Sequence, residues 1–122
     1  MSKFPTGVRS LDFYEPTKTL LVGTRSAEII EVNYQNGQKV KTLINGHFQG
    51  TLKAELWGCA VHPKDQIFAS CGADKTIRLW NENTMLMASD QFACDLKALD
   101  WSPNGAFIIA GDENGFIHLI DP

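Results

Sequence analysis

The chain has 122 residues, 43% of them apolar and 10% aromatic, and a net charge of −3. This is the composition of a folded chain, with no apolar run near the ~20 residues that a membrane-spanning helix needs. The acidic balance opposes bulk attraction to nucleic acid or an anionic membrane, so neither is expected as a partner. The three cysteines lack metal-ligand spacing and point to a reducing compartment, and residues 1–6 hold no apolar stretch of a secretory signal.

From the N-terminus, a first strand precedes a polar turn at 14–18, and a buried run, Leu20-Leu21-Val22, follows. A third strand leads to Asn36-Gly37, a pair suited to a tight hairpin, and a fourth strand is predicted over 38–44. The cycle then repeats. A strand ending Cys59-Ala60-Val61 meets a Pro63 turn, then Ile67-Phe68-Ala69, then a turn at 72–75, then Ile77-Arg78-Leu79-Trp80, then a strand over 84–91. A third cycle has its Pro103 turn, Phe107-Ile108-Ile109-Ala110, a turn at 112–115 and a strand over 116–120. Windows 8–32, 56–80 and 96–120 align without a gap, and seven of the 25 columns are apolar in all three. Among these columns are Leu11/Cys59/Leu99, Phe13/Val61/Trp101, Leu20/Phe68/Ile108 and Ile29/Ile77/Ile117.

Short strands of this kind, four to a unit of ~40 residues and with no helical periodicity, make the blade of a β-propeller. The expected fold is therefore all-β, with four-stranded antiparallel blades forming part of a propeller. The first blade is expected over 1–47, the second over 48–95 and an incomplete third over 96–122. Propellers close with about four to eight blades, so the chain reads as a slice of a ring. Two uncovered sheet faces are then expected to give self-association that completes the ring, domain-swapped pairing or poor solubility.

The second unit carries Gly46-His47, Ser70, Asp74 and Trp80-Asn81. This resembles the WD-repeat pattern, with Asn81 replacing the terminal Asp. The resemblance implies a structural tetrad of His47, Ser70, Asp74 and Trp80, in which His47 bridges Ser70 and Asp74 and Ser70 accepts the indole N–H. Ser, His and Asp are also the residue types of a hydrolase triad. Ser70, however, lies in a buried strand without the Gly-x-Ser-x-Gly of a nucleophile elbow, and a triad leaves Trp80 unexplained. The first and third units hold Val22, Ser26 and Val32, and Ala110, Asn114 and Ile120, at the corresponding columns. Neither can build the tetrad, so apolar packing alone is expected to hold them.

A longer succession narrows the match. It runs Leu20-Leu21-Val22-Gly23-Thr24-Arg25, Gly46-His47-Phe48, Glu55-Leu56-Trp57-Gly58-Cys59-Ala60-Val61-His62-Pro63, Asp74-Lys75 and Leu79-Trp80-Asn81. Over residues 20–81 this is similar to the echinoderm microtubule-associated protein-like (EML) family, whose members carry tandem atypical propellers. The resemblance implies a non-catalytic scaffold that binds tubulin or microtubules, in the cytoplasm on the cytoskeleton, at a cilium or spindle. The competing reading is a generic WD-repeat adaptor that recruits a peptide or protein without touching tubulin. No phosphate-cradling loop, carboxylate pair or metal cluster points to an enzyme, and no cofactor is expected.

Partner contacts are expected on one rim. Residues 48–55 form a stretch longer than WD units need, with Phe48, Leu52 and Lys53 as candidate contacts. Arg9, Trp57 and Lys97 share one repeat column beside the same rim, and Lys75 sits in a turn there. His62 is expected as a solvated turn histidine, and His118, aligned with Arg78, as a half-exposed strand residue. Cys59 and Cys71 are expected buried, and Cys94, near a loop, is the best candidate among the three for an exposed thiol. The run at 112–115 lacks the alternating oxygen ligands of a calcium loop and reads as a turn. Lys39 and Lys41 suit an outer strand, where lysine discourages edge pairing.

Overall fold

Three antiparallel sheets follow one another along the chain in a computed structural model. It describes residues 7–14, 18–26, 28–45, 48–49, 52–53, 57–81 and 84–122, with backbone only at 41–45, 48–49 and 52–53. The first blade is β1 (Val8–Tyr14), β2 (Thr19–Thr24), β3 (Glu28–Asn33) and β4 (Lys39–Asn45), hydrogen-bonded in that order. The second is β7 (Gly58–Val61), β8 (Phe68–Cys71), β9 (Ile77–Asn81) and β10 (Thr84–Ala88), and the third is β11 (Leu96–Trp101), β12 (Ile108–Asp112) and β13 (Ile117–Ile120). Between the first and second blades, β5 (Phe48–Gln49) and β6 (Leu52–Lys53) pair as a small hairpin of their own. Among the described residues there is no helix, and so none long and apolar enough to cross a membrane.

Each strand follows from its residues. The inner β2 and β3 read Thr-Leu-Leu-Val-Gly-Thr and Glu-Ile-Ile-Glu-Val-Asn and are covered on both faces, so they carry near-continuous β-branched and apolar runs. Gly37 takes φ 74° in the β3–β4 turn, where its N–H donates to the Asn33 carbonyl at 2.8 Å. A side chain at that φ is strained, so the Asn36-Gly37 pair fixes the hairpin. Lys39 lies on β4, the outer edge of the first sheet.

The blades pack face to face, and the apolar columns make the junctions. We call the face toward the preceding blade the front and the other the back. Tyr14, Leu21 and Ile29 of blade one form one buried cluster with Cys59, Phe68 and Trp80 of blade two. Ala69, Ile77 and Leu79 on the back of blade two form another with Leu96, Trp101, Ile108 and Ala110 of blade three. Polar pins cross both junctions. Val61 N–H donates to Asp12 Oδ2 at 2.7 Å, and Trp101 Nε1–H donates to the Ala60 carbonyl at 2.9 Å. The thiols of Cys59 and Cys71 reach the Leu21 and Leu96 carbonyls of the neighbouring blades. The backbones approach closely where β7 meets blade three. A Cβ on Gly58 would come within 2.8 Å of Cys71 Sγ and 2.9 Å of Leu99 Cβ.

Three expectations need correction. His62 is not solvated: its side chain is only 8% exposed and its ring packs edge-on against Trp101, 4.6 Å between centres. Nδ1 accepts the N–H groups of Lys64 and Asp65, which sets the tautomer, and Nε2–H donates to the Gly105 carbonyl at 3.1 Å. The turn thus closes on its own histidine and pins blade three, and a Cβ at Gly105 would overlap the ring. Cys94, the candidate for an exposed thiol, is buried, and its side chain hydrogen-bonds to the Asp112 carboxyl. Nor are the flanking blades held by apolar packing alone. Blade one buries Glu31 against the Thr19 hydroxyl at 3.1 Å, and blade three joins His118 Nε2 to Asp112 Oδ2 at 2.8 Å. His118 also packs on Phe92, 4.9 Å between ring centres. His118 stands in the column of Arg78, and in both blades the side chain there bonds to an aspartate of its own blade.

Candidate functional site

The strand register decides which residues share a rim. In blade one Val8 lies opposite Thr24, Gly23 opposite Ile29 and Glu28 opposite Asn45. The start of β1, the β2–β3 turn and the end of β4 are therefore at one end of the sheet. In blade two, Gly58 opposite Cys71 and Cys71 opposite Ile77 give the same arrangement. The β5–β6 hairpin lies in the chain between the end of β4 and the start of β7, both at this rim.

Here the shared column becomes a contact. The Arg9 guanidinium carbon lies 5.2 Å from the centre of the Trp57 ring, and Lys97 Nζ lies 3.5 Å from it. One residue from each of three blades thus builds a cation–indole–cation ladder. The ring quadrupole holds each cation at roughly 0.5–1 kcal/mol when the site is exposed and more when it is dry. Lys97 is further steadied by Asp95 Oδ2 at 3.9 Å and Glu113 Oε2 at 4.0 Å. The Trp57 indole N–H is buried and finds no acceptor among the described residues. Lys75 sits on the β8–β9 turn of the same rim, in the left-handed region at φ 67°. Its carbonyl accepts Phe92 N–H at 2.8 Å, which ties that turn to the segment leading into blade three. The backbone pairs Phe48 with Lys53 and Gln49 with Leu52; the side chains of Phe48, Leu52 and Lys53 lie outside the description.

Beneath the rim, blade two holds its buried polar residues. Trp80 Nε1–H donates to Ser70 Oγ at 2.8 Å, with Ser70 fully buried. Asp74 is 1% exposed and gathers donors that motif reasoning misses. Thr76 gives it a backbone N–H at 3.2 Å and a hydroxyl at 2.9 Å, and Arg78 gives a guanidinium N–H at 3.2 Å. A buried carboxylate needs such partners, and they come from Thr76, buried just before β9, and Arg78, half-buried on it. His47 lies outside the described residues. Ser70 is held inside β8, where its hydroxyl accepts the indole N–H. Burial pushes the thiols of Cys59 and Cys71 up to about 12, so both stay protonated and unreactive at neutral pH. Among the described residues no cluster of His, Cys, Asp and Glu could hold a metal ion.

Residues 37–81 and 88–121 match the model of the WD domain, G-beta repeat. The chain belongs to the WD-repeat family. Within it the chain is EML-like. It is 32% identical over 104 residues to Echinoderm microtubule-associated protein-like 2 of Rattus norvegicus, covering 84% of this chain and 15% of that protein. It is 31% identical over 106 residues to Echinoderm microtubule-associated protein-like 3 of Mus musculus, covering 84% and 11%. It is also 29% identical over 84 residues to the Probable cytosolic iron-sulfur protein assembly protein Ciao1 of Culex quinquefasciatus, covering 64% and 23%. The chain therefore spans less than a quarter of the length of each of these relatives. WD repeats make this a protein-interaction scaffold.

Proposed function

We propose that this chain is a non-catalytic docking module whose ligand rim is built around the Arg9–Trp57–Lys97 ladder, and that its partner is the microtubule. The observation that carries the rim is the ladder itself. Three blades each contribute one large side chain to a single partly exposed strip, and aromatic and arginine side chains are the residues on which protein interfaces concentrate their energy. The β5–β6 hairpin with Phe48, Leu52 and Lys53, and the β8–β9 turn with Lys75, flank that strip and extend the contact. The partner is inferred from the likeness to the echinoderm microtubule-associated protein-like proteins, which also favours the cytoplasm and cytoskeleton, with cilium or spindle as the site of action.

In this reading residues 1–47, 48–95 and 96–122 are the three blade units, and His47, Ser70, Asp74 and Trp80 form a structural tetrad that braces the middle one. Co-sedimentation with polymerised tubulin tests the proposal. The chain should pellet with microtubules, and Arg9→Ala with Lys97→Ala should reduce the pelleted fraction without changing the circular dichroism. Failure to pellet at moderate salt would contradict it. The likeness to Ciao1 favours a second reading, an adaptor for another protein. In that case the rim variants would lose a partner captured by the wild-type chain while tubulin stays in the supernatant.

A further inference from the structure

The chain has three tryptophans, and two of their indole N–H groups are paired. Trp80 donates to Ser70 Oγ at 2.8 Å and Trp101 to the Ala60 carbonyl at 2.9 Å. Trp57 is the exception. Its Nε1–H is buried and has no acceptor among the described residues. A buried donor left unpaired costs the desolvation of that donor, so native structures rarely keep one without a use.

The surroundings of Trp57 say which acceptor suits it. Lys97 Nζ and the Arg9 guanidinium carbon lie 3.5 Å and 5.2 Å from the centre of its ring. Arg25, exposed on the β2–β3 turn, brings a third cation close. A Cβ on Gly7 would stand 3.0 Å from Arg25 Cδ and 3.4 Å from Arg9 Nη1. The whole chain carries a charge of −3, so this strip runs against the overall balance. Asp95 and Glu113 reach Lys97 only at 3.9 Å and 4.0 Å, beyond hydrogen-bond distance. The Lys97 side chain, 37% exposed, is thus loosely held and can turn from the ring toward an incoming anion. A carboxylate suits a donor placed among cations. It accepts the N–H, and the nearby positive charge offsets its own desolvation. A neutral carbonyl gains only the first of these.

We propose that the ladder takes a carboxylate of an acidic peptide segment, with Trp57 Nε1–H as the hydrogen-bond donor and Arg9 and Lys97 as the flanking cations. This rests on the ladder being the ligand rim, and it adds what that rim selects: a segment carrying Asp or Glu side chains. Trp57 reads the acid through its N–H and offers its ring as the platform. Entry of the carboxylate draws Lys97 off the ring and gives the indole its acceptor. Salt weakens the contact, because solvent ions screen charges at a rim.

Fluorescence anisotropy of labelled decaglutamate and decaglutamine with the whole chain tests it, beside NMR spectra of the three indole N–H groups. Decaglutamate should bind, lose affinity as salt is raised, and shift the Trp57 indole resonance while those of Trp80 and Trp101 stay in place. Decaglutamine should not bind. Trp57→Phe keeps an aromatic face for Arg9 and Lys97 and removes the N–H. It should weaken decaglutamate about tenfold, the loss of one hydrogen bond to a charged group. Lys97→Gln should weaken it as well. Equal binding of the two peptides, an unmoved Trp57 resonance, or undiminished affinity in Trp57→Phe would each overturn the proposal. The resonance shift is read in the wild type, so it decides even where the variant does not fold. Microtubule co-sedimentation separates this proposal from the reading on which it rests. A chain that pellets with microtubules and ignores decaglutamate refutes the carboxylate site alone. A chain that binds decaglutamate through Trp57 without pelleting supports the site and removes the microtubule as its partner.

Discussion

Blade two and blade three share a pattern and live in different surroundings. Both put an isoleucine at the start of the third strand and a leucine two residues on, yet Ile77 and Leu79 are buried while Ile117 and Leu119 are open. Their polar reinforcement differs in the same way. Blade two seals Ser70, Asp74 and Trp80 inside, between two neighbours. Blade three draws Asp112 and His118 together at its margin. The difference teaches that a strand residue in a stacked repeat is buried by the next repeat, not by its own sheet. The energetic weight of a side chain is therefore a property of the junction.

The widest gap between the two blades should come from one substitution made twice. Ile77→Ala should cost about 2–5 kcal/mol, the range for a fully buried aliphatic side chain cut to alanine. Ile117→Ala in the same column should stay within about 0.5 kcal/mol, as exposed substitutions do. Urea unfolding of the two variants checks this at a concentration where the chain is monomeric. Similar losses at both positions would break the comparison.

Ser70→Ala comes next. It leaves the buried Trp80 N–H without its acceptor and should cost about 1–3 kcal/mol. Blade three already carries Ala110 in that column, so Ala110→Ser is not expected to give a matching gain.

Acid should separate the blades further. His118, followed by the N–H groups of Phe116 and Asn114, holds the Asp112 carboxyl below its ordinary value of 3.8. A carboxylate whose pKa is depressed by folding stabilises the fold above the unfolded value and loses that contribution as pH falls through the folded one. Asp112→Asn should therefore unfold at lower urea than the parent at neutral pH and lose less stability than the parent on acidification. Parallel pH profiles for the two chains would remove the clasp from the account.

The smallest expected effect is an absence of change. Cys59 and Cys71, with thiols pushed up to about 12, should resist alkylation at neutral pH in the native chain and react once it is unfolded in urea. Rapid native labelling of either, read by mass spectrometry, would place it outside the junction cores.

What the sequence made legible were the things written in periodicity. The aligned columns foretold the strands and their antiparallel succession, and Asn36-Gly37 marked its own turn. The column of Arg9, Trp57 and Lys97 already pointed at a shared strip, although only the fold could make it a ladder. What stayed hidden depends on distant neighbours. The 48–55 stretch gave no alternating pattern long enough to announce a hairpin. His62 looked like any turn histidine until blade three brought Trp101 and Gly105 to its ring. The Asp112–His118 clasp had one visible signal, the alignment of His118 with Arg78, but its carboxylate lies two columns from Asp74 and no motif links them.

The most direct test of the central claim is side-chain footprinting by hydroxyl radicals at a dilution where the chain is monomeric. The account predicts heavy oxidation of Leu11, Phe13, Ile117 and Leu119, with Cys59, Trp101, Ile77 and Leu79 protected in the same columns. Even labelling along each column, or protection of the outer positions in the dilute monomer, would contradict it.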